Sequence, residues 1–160
     1  MRIGILSDSH GDKKNIVKAL QEMGKVDFLF HLGDYAKDVE YIKDFYKGEI
    51  IAVHGNCDHF TGLGSYPPEV LLTIEGKNVF ATHGHRYRVK DGLNTLYYRG
   101  KEIEADIILF GHTHCSKIIK IDEMVMMNPG SVSSSRNKSR STYGIIEITD
   151  DEVKADILEI

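Results

Sequence analysis

The sequence predicts an α/β protein of the α+β kind: a four-layer α-β-β-α sandwich of two mixed sheets with helices outside. Three observations point there. The first half alternates short apolar runs with amphipathic stretches, and the second half consists largely of paired apolar runs joined at tight polar turns. The chain's 160 residues, 41% apolar and 28% charged, suffice for one sizeable core and little more. No repeat, low-complexity tract or linker interrupts it, so a single domain over 1–160 is expected.

The elements follow in order. RIGILS (2–7) and DFLFHLG (27–33) are apolar runs of strand length. Between them Ile16, Val17, Leu20 and Met23 recur at helical spacing behind Asp12, a suitable cap, which makes a β-α-β unit. Val39, Ile42 and Phe45 mark a second amphipathic helix, and EIIAVHG (49–55) a third strand, so the first half predicts a parallel sheet with crossover helices. After Pro67-Pro68, EVLLTI and NVFATHG flank the turn Glu75-Gly76-Lys77 as a hairpin. A helix over roughly 91–103 leads to ADIILFG. Two more hairpins close the chain, KIIKI with MVMMN about Asp122-Glu123, and YGIIEIT with VKADILEI about 150–152. A parallel half and a hairpin-rich half of similar size imply two sheets packed face to face.

Composition excludes some functions. A formal net charge of −4, with RNKSR (136–140) as the densest basic cluster, argues against a general polyanion binder. Two cysteines, Cys57 and Cys115, form no disulfide framework. The opening RIGILS lacks an apolar leader, and no apolar span approaches the ~18 residues a membrane crossing needs. A soluble protein of a reducing cytoplasm is expected, with no membrane partner and no stable nucleic-acid binding.

The strand ends carry the chemistry. RIGILS is followed by Asp8 and His10, DFLFHLG by Asp34, EIIAVHG by Asn56, NVFAT by His83, and ADIILFG by His112 and His114. Ligands of α/β sheets gather at the carboxyl ends of strands, so adjacent strands would bring these seven groups together. Singly, each has a local reading: Asp8 as a helix cap, Asp34 and Asn56 as turn residues, His83 as a satisfied core histidine, the GHTH pair as a polar turn. Together, with Gly33, Gly55, Gly84 and Gly111 beside them, they form a mixed oxygen and nitrogen set suited to Mn, Fe, Zn, Ni or Co. Seven donors exceed the need of one ion and suit two ions sharing a carboxylate, about 3.5–4 Å apart, the arrangement that clamps a phosphoryl group.

DSH (8–10), GDY (33–35), GNCD (55–58), THGH (82–85) and GHTH (111–114) occur in the order and rough spacing of the calcineurin-like metallophosphoesterases, which the chain resembles over nearly its whole length. It is most similar to their small bacterial and archaeal phosphodiesterases, which also carry a loop like NPGS (128–131). The resemblance implies one ion held by Asp8, His10, Asp34 and His114 and another by Asp34, Asn56, His83 and His112, with Asp34 bridging. It implies hydrolysis of a phosphodiester by a metal-bridging hydroxide, with Mn the first expectation and Ni, Fe, Zn and Co the alternatives. Asn56, Cys57, Asp58 and Arg136 are the candidate catalytic residues, Arg136 with Arg86 behind it for holding the phosphate.

One departure concerns Cys57, where many members of the superfamily have a His that assists the leaving group. A thiol is a weaker donor with no cationic form, so activated leaving groups and diesters are expected to be favoured. His59 is a neighbouring substitute, and Cys57 is assigned no nucleophilic role. The implied partner is a small phosphodiester, nucleotide-derived ones included, and self-association is common among such proteins. Two rivals are weighed. A retromer subunit of the same fold acts as a protein-binding scaffold with an eroded metal set, whereas all seven positions are filled here. A zinc hydrolase of the metallo-β-lactamase type needs an Asp-His pair after His-x-His, and His112-Thr113-His114-Cys115 lacks it.

Overall fold

A computed structural model describes residues 1–58, 66–133, 140–150 and 152–160. His59 and Arg136 lie outside the described residues. The elements are β1 (Arg2–Leu6), α1 (Lys13–Met23), β2 (Phe28–His31), α2 (Asp38–Ile42), β3 (Glu49–Ala52), β4 (Glu69–Ile74), β5 (Lys77–Thr82), α3 (Asn94–Glu102), β6 (Ile107–Leu109), β7 (Lys117–Ile121), β8 (Met124–Asn128), β9 (Thr142–Ile148) and β10 (Val153–Glu159), with a 3-10 turn at His85–Tyr87.

Two five-stranded sheets form, ordered β10-β9-β1-β2-β3 and β4-β5-β6-β8-β7. In the first, β1 pairs in parallel with β2 and β2 with β3, while β9 runs antiparallel to β1. In the second, β5, β6 and β8 are parallel, and β4 and β7 flank them antiparallel.

The edge strands β4, β7 and β10 are partly exposed, whereas the inner strands are apolar on both faces because both faces are covered. Their side chains alternate between layers: Ile3 and Ile5, Phe30 and Leu32, Val79 and Ala81, Ile107 and Leu109 fill the space between the sheets. Leu6 and Leu29 turn outward onto Ile16, Ala19 and Met23 of α1. Phe80, Ile108 and Phe110 turn outward onto Leu96 of α3. Each such side chain, removed from water, contributes about 1.5–3 kcal/mol. Asp12 caps α1, its side chain accepting from Asn15 N at 3.1 Å. The result is the four-layer sandwich, helix, sheet, sheet, helix.

Two details differ from the sequence-based expectation. The sheets are not the two halves of the chain, because the last hairpin returns to the first sheet and sets β9 against β1. That long-range pairing leaves no local trace in the pattern. Phe45, expected on the apolar face of the second helix, is 52% exposed. The helix ends at Ile42, where the chain closes into a turn with Phe45 N and Tyr46 N both bonded to Ile42 O at 2.9 Å. Tyr46 then packs against the core while Phe45 stacks on Tyr41 outside it.

Candidate metal centre

Each strand that feeds the site stops short of its apolar run, and the polar residues sit in the loop just beyond. Asp8, His10, Asp34, His112 and His114 all take left-handed backbone conformations, with φ between 45 and 68°. A non-glycine residue there costs of order 1–3 kcal/mol, and such strain persists where the surroundings over-determine it. Here they do. Asp8 N donates to Gly33 O at 3.0 Å, and both Ser131 Oγ at 2.9 Å and Ser133 Oγ at 3.0 Å donate to Asp8 O. Asn128 Nδ2 donates to Gly111 O at 2.8 Å and to Thr113 Oγ1 at 3.0 Å. The NPGS loop thus braces the Asp8 loop and the GHTH loop together.

Two groups of donors result. One ligand atom from each of Asp8, His10, Asp34 and His114 lies within 4.8 Å of the others, and the same holds for Asp34, His83 and His112. Asp34 belongs to both. Of the seven expected ligands, six are brought together in this way. The seventh, Asn56, is exposed, and its Nδ2 contacts Cys57 Sγ at 3.4 Å.

The donors suit a cation. Asp8 Oδ1 is buried and has no hydrogen-bond partner among the described residues, although His114 Nε2 lies 3.1 Å away. His10 Nε2 faces His114 Nε2 at 3.4 Å, and His83 Nε2 faces His112 Nδ1 at 3.2 Å. His83 Nδ1 lies 2.7 Å from the carbonyl of Leu32, which can only accept, so the proton sits on Nδ1 and Nε2 points its lone pair into the group. Burial would drive the His83 pKa down, yet the carboxylates of Asp34 and Asp8 raise it, because positive charge is favoured at that spot. Burial also opposes ionisation of Asp8, but the His114 ring, His83 and the Ser7 hydroxyl hold its carboxyl below the ordinary range. Asp34 is likewise held well down, against its burial, by His83 and by Cys57. His112 is pushed down to about 4 by burial and by His83 and Lys90, leaving a neutral ring able to coordinate. Mixed carboxylate and imidazole donors of this kind fit divalent transition ions.

The other expected residues fall into different roles. Asp58 is buried, and its carboxylate accepts four backbone N–H groups: Asp34 at 3.0 Å, Tyr35 at 2.9 Å, Ala36 at 2.8 Å and Gly55 at 2.7 Å. It clamps the GDY loop to the GNCD loop and so aims Asp34. Cys57 N donates to Asp34 Oδ1 at 2.9 Å. Burial, then Asp34, Asp58 and Asp8, push the Cys57 thiol up to about 11, the reverse of an activated nucleophile. Arg86 is exposed in the 3-10 turn. Beside the GHTH loop a groove of about 470 Å³ is lined by Val89, Leu93, Phe110, Thr113, Lys90 and Lys117 among others.

Two histidines near these donors, His54 and His85, escaped the sequence-based reading. His85 stacks 5.4 Å from His83 and 6.1 Å from His112 and from His54, and its buried Nδ1 has no hydrogen-bond partner among the described residues. Burial, then His83 and His54, push it down to about 4. The signal was present in VHGN and THGH, where His54 precedes and His85 follows the glycine after the strand.

The fold and the two donor groups define a metallophosphoesterase-type domain. The chain matches the calcineurin-like phosphoesterase superfamily domain over residues 1–151 and belongs to that family. It is 32% identical over 154 residues, 94% of this chain and 86% of the relative, to the probable metallophosphoesterase YsnB of Bacillus subtilis. It is 29% identical to the phosphodiesterase MJ0936 of Methanocaldococcus jannaschii over 99% of this chain and 100% of that one. The crystal structure of a predicted phosphoesterase from Streptococcus pneumoniae superposes with a TM-score of 0.83 and 31% identity, covering 99% of this chain and 88% of that chain. Vps29 of Chaetomium thermophilum shares the fold, with a TM-score of 0.76 at 14% identity, over 98% of this chain and 96% of that chain. No helix among the described residues is long and apolar enough to cross a membrane.

Proposed function

We propose that the chain is a phosphodiesterase acting through two divalent transition ions, with manganese first among them. The observation that carries this is the shared carboxylate: Asp34 stands in both donor groups, which is what two ions held side by side require. When bound, such ions polarise a phosphoryl group and lower the pKa of water toward neutrality. Asp8, His10, Asp34 and His114 would hold one, and Asp34, His83 and His112 the other, completed by Asn56 from its exposed position.

The chain's own residues do the positioning. Asp58 and the NPGS loop fix the strained ligand loops before substrate arrives, so little reorganisation is needed on binding. Cys57, protonated and next to the bridge, offers a weak donor near the leaving group, and Arg86 and Arg136 are the cations proposed to hold the phosphate. The phosphodiesterase name of the archaeal relative supports a diester as substrate. A scaffold role, which the Vps29 likeness suggests by fold alone, has no use for a complete donor set.

The test is a panel of phosphomonoesters, cyclic nucleotides and aryl diesters, assayed with each divalent ion in turn after chelation. Metal-dependent diester turnover is expected. A chain that binds ions and turns over none of the panel would favour the scaffold.

A further inference from the structure

His31 is the last residue of β2, fully buried in an otherwise apolar run, and takes no part in either donor group. Its ring is nonetheless completely engaged. Gly33 N donates to His31 Nδ1 at 3.3 Å, so Nδ1 is an acceptor and the ring proton lies on Nε2. That Nε2 is 2.9 Å from Ser9 Oγ and donates to it. The Ser9 hydroxyl must then direct its own proton elsewhere, and it donates to Asp38 Oδ2 at 2.6 Å. Asp38 Oδ2 also accepts Gly11 N at 2.8 Å. Every proton in this chain has one direction, running from Gly33 through His31 and Ser9 to a carboxylate, where the last bonds are charge-assisted.

Ser, His and Asp together suggest a nucleophile triad, but the polarity is reversed. In such a triad the histidine accepts the serine proton; here it donates to the serine, whose proton is taken by the carboxylate. Ser9 is also fully buried, out of reach of any substrate. The network has a different consequence. Ser9 lies between Asp8 and His10, both left-handed, and Gly33 precedes Asp34, also left-handed. The network therefore ties the loop carrying two ligands to the loop carrying the shared one, and anchors both to the first residue of α2.

We infer that Ser9, His31 and Asp38 are positioning residues that fix Asp8 and His10 relative to Asp34, and so set how tightly the centre holds its ions. The inference rests on the metal reading proposed above. Burial lowers the pKa of His31, which accords with the neutral ring the network needs.

The experiment is calorimetric titration of the chelated full chain with MnCl2, alongside thermal melts of the same samples without metal. Ser9→Ala and His31→Phe are expected to weaken Mn affinity by ~10-fold or more, the range for residues that orient ligands. His31→Gln, which keeps an N–H donor toward Ser9, is expected to restore most of it. The double variant Ser9→Ala, His31→Phe should be no weaker than the worse single variant, because the chain acts as a unit. If His31→Phe fails to fold, Ser9→Ala, which removes one hydroxyl, alone and combined with His31→Gln, decides the matter. Variants that melt lower but bind Mn as the wild type does would overturn the positioning role, since a merely structural network moves stability alone. A wild-type chain that binds no divalent ion would overturn the metal reading and this inference with it.

Discussion

Asp34 Oδ1 and His83 Nε2 lie 3.4 Å apart, both buried, and they come from different sheets. Asp34 follows β2 of the first sheet and His83 follows β5 of the second, so the candidate centre sits where the carboxyl ends of the two layers meet. Ions bound there would join the layers at that end. The sandwich itself is held by three apolar clusters in which none of these ligands takes part.

Chelation should therefore leave the protein folded and inactive. A core of this size folds without metal, and Mn or Ni is expected to restore diester hydrolysis. Added ion should raise the melting temperature, by about 2.7 kcal/mol of stabilisation at a free concentration 100 times Kd. Melts and assays on chelated and reloaded samples check both, and turnover that survives thorough chelation would refute the metal reading.

Asp34→Asn should reduce activity by at least ~10²-fold, and by more than Asn56→Ala or Arg136→Ala does, because on the two-ion reading proposed above its carboxylate would serve both ions and offset their mutual repulsion. Steady-state kinetics with parallel metal analysis provide the check. A near-normal Asp34→Asn enzyme would exclude the bridge.

Asp58→Ala should be harsher on folding than any ligand change. Its carboxylate is the acceptor for four backbone N–H groups from two loops, and each buried donor left unpaired costs about 1–3 kcal/mol. Asp58→Asn keeps one oxygen and should fall between Asp58→Ala and the wild type. Denaturant midpoints of the three proteins without metal measure this.

The six donors that converge were legible because each stands within a few residues of the end of an apolar run, where the strand-end rule applies without any knowledge of strand order. The bracing was not. Asp58 and Ser9 look like ordinary loop residues, and only the closed tertiary structure shows which backbone amides and side chains they meet. His31 did carry a signal, a histidine inside DFLFHLG, but an isolated histidine in an apolar strand does not name its partner. The return of β9 to β1 was likewise hidden, since its apolar pattern suits either sheet. Phe45 misled for the opposite reason: helical spacing continued one turn beyond the helix.

Acid should weaken the chelated protein. His31 is held below its ordinary pKa, and His85 and His112 are pushed down to about 4, so for all three the neutral form is the folded one. Groups whose folded pKa is depressed stabilise the fold above the unfolded value near 6.5 and lose that contribution as pH falls toward 4. Asp8 and Asp34, also depressed, add a further loss below the ordinary carboxylate range. His83 acts in the opposite sense, its raised pKa contributing below about 6.5 and fading as pH rises through the folded value. The net expectation is a melting temperature that falls between pH 6.5 and 4. A flat profile across that window would contradict it.

Cys57 gives the most specific chemical prediction. Its thiol, pushed up to about 11 by burial and the neighbouring carboxylates, stays protonated at neutral pH and is a poor general acid. Cys57→His should recover part of a general-acid contribution worth typically ~10²-fold or more, less if the loop holds the ring badly. The gain should be selective. An aryl leaving group departs without a proton, so hydrolysis of an activated aryl diester should change little, whereas an alkyl or nucleoside leaving group should depart faster. Cys57→Ser should be nearly silent: the backbone N–H to Asp34 remains, and a hydroxyl replaces the thiol at similar size. Kinetics on both substrate types for the wild type and the two variants separate these outcomes. Loss of all turnover in Cys57→Ser at normal metal content would make the thiol essential and rule out catalysis by ions and positioning residues alone.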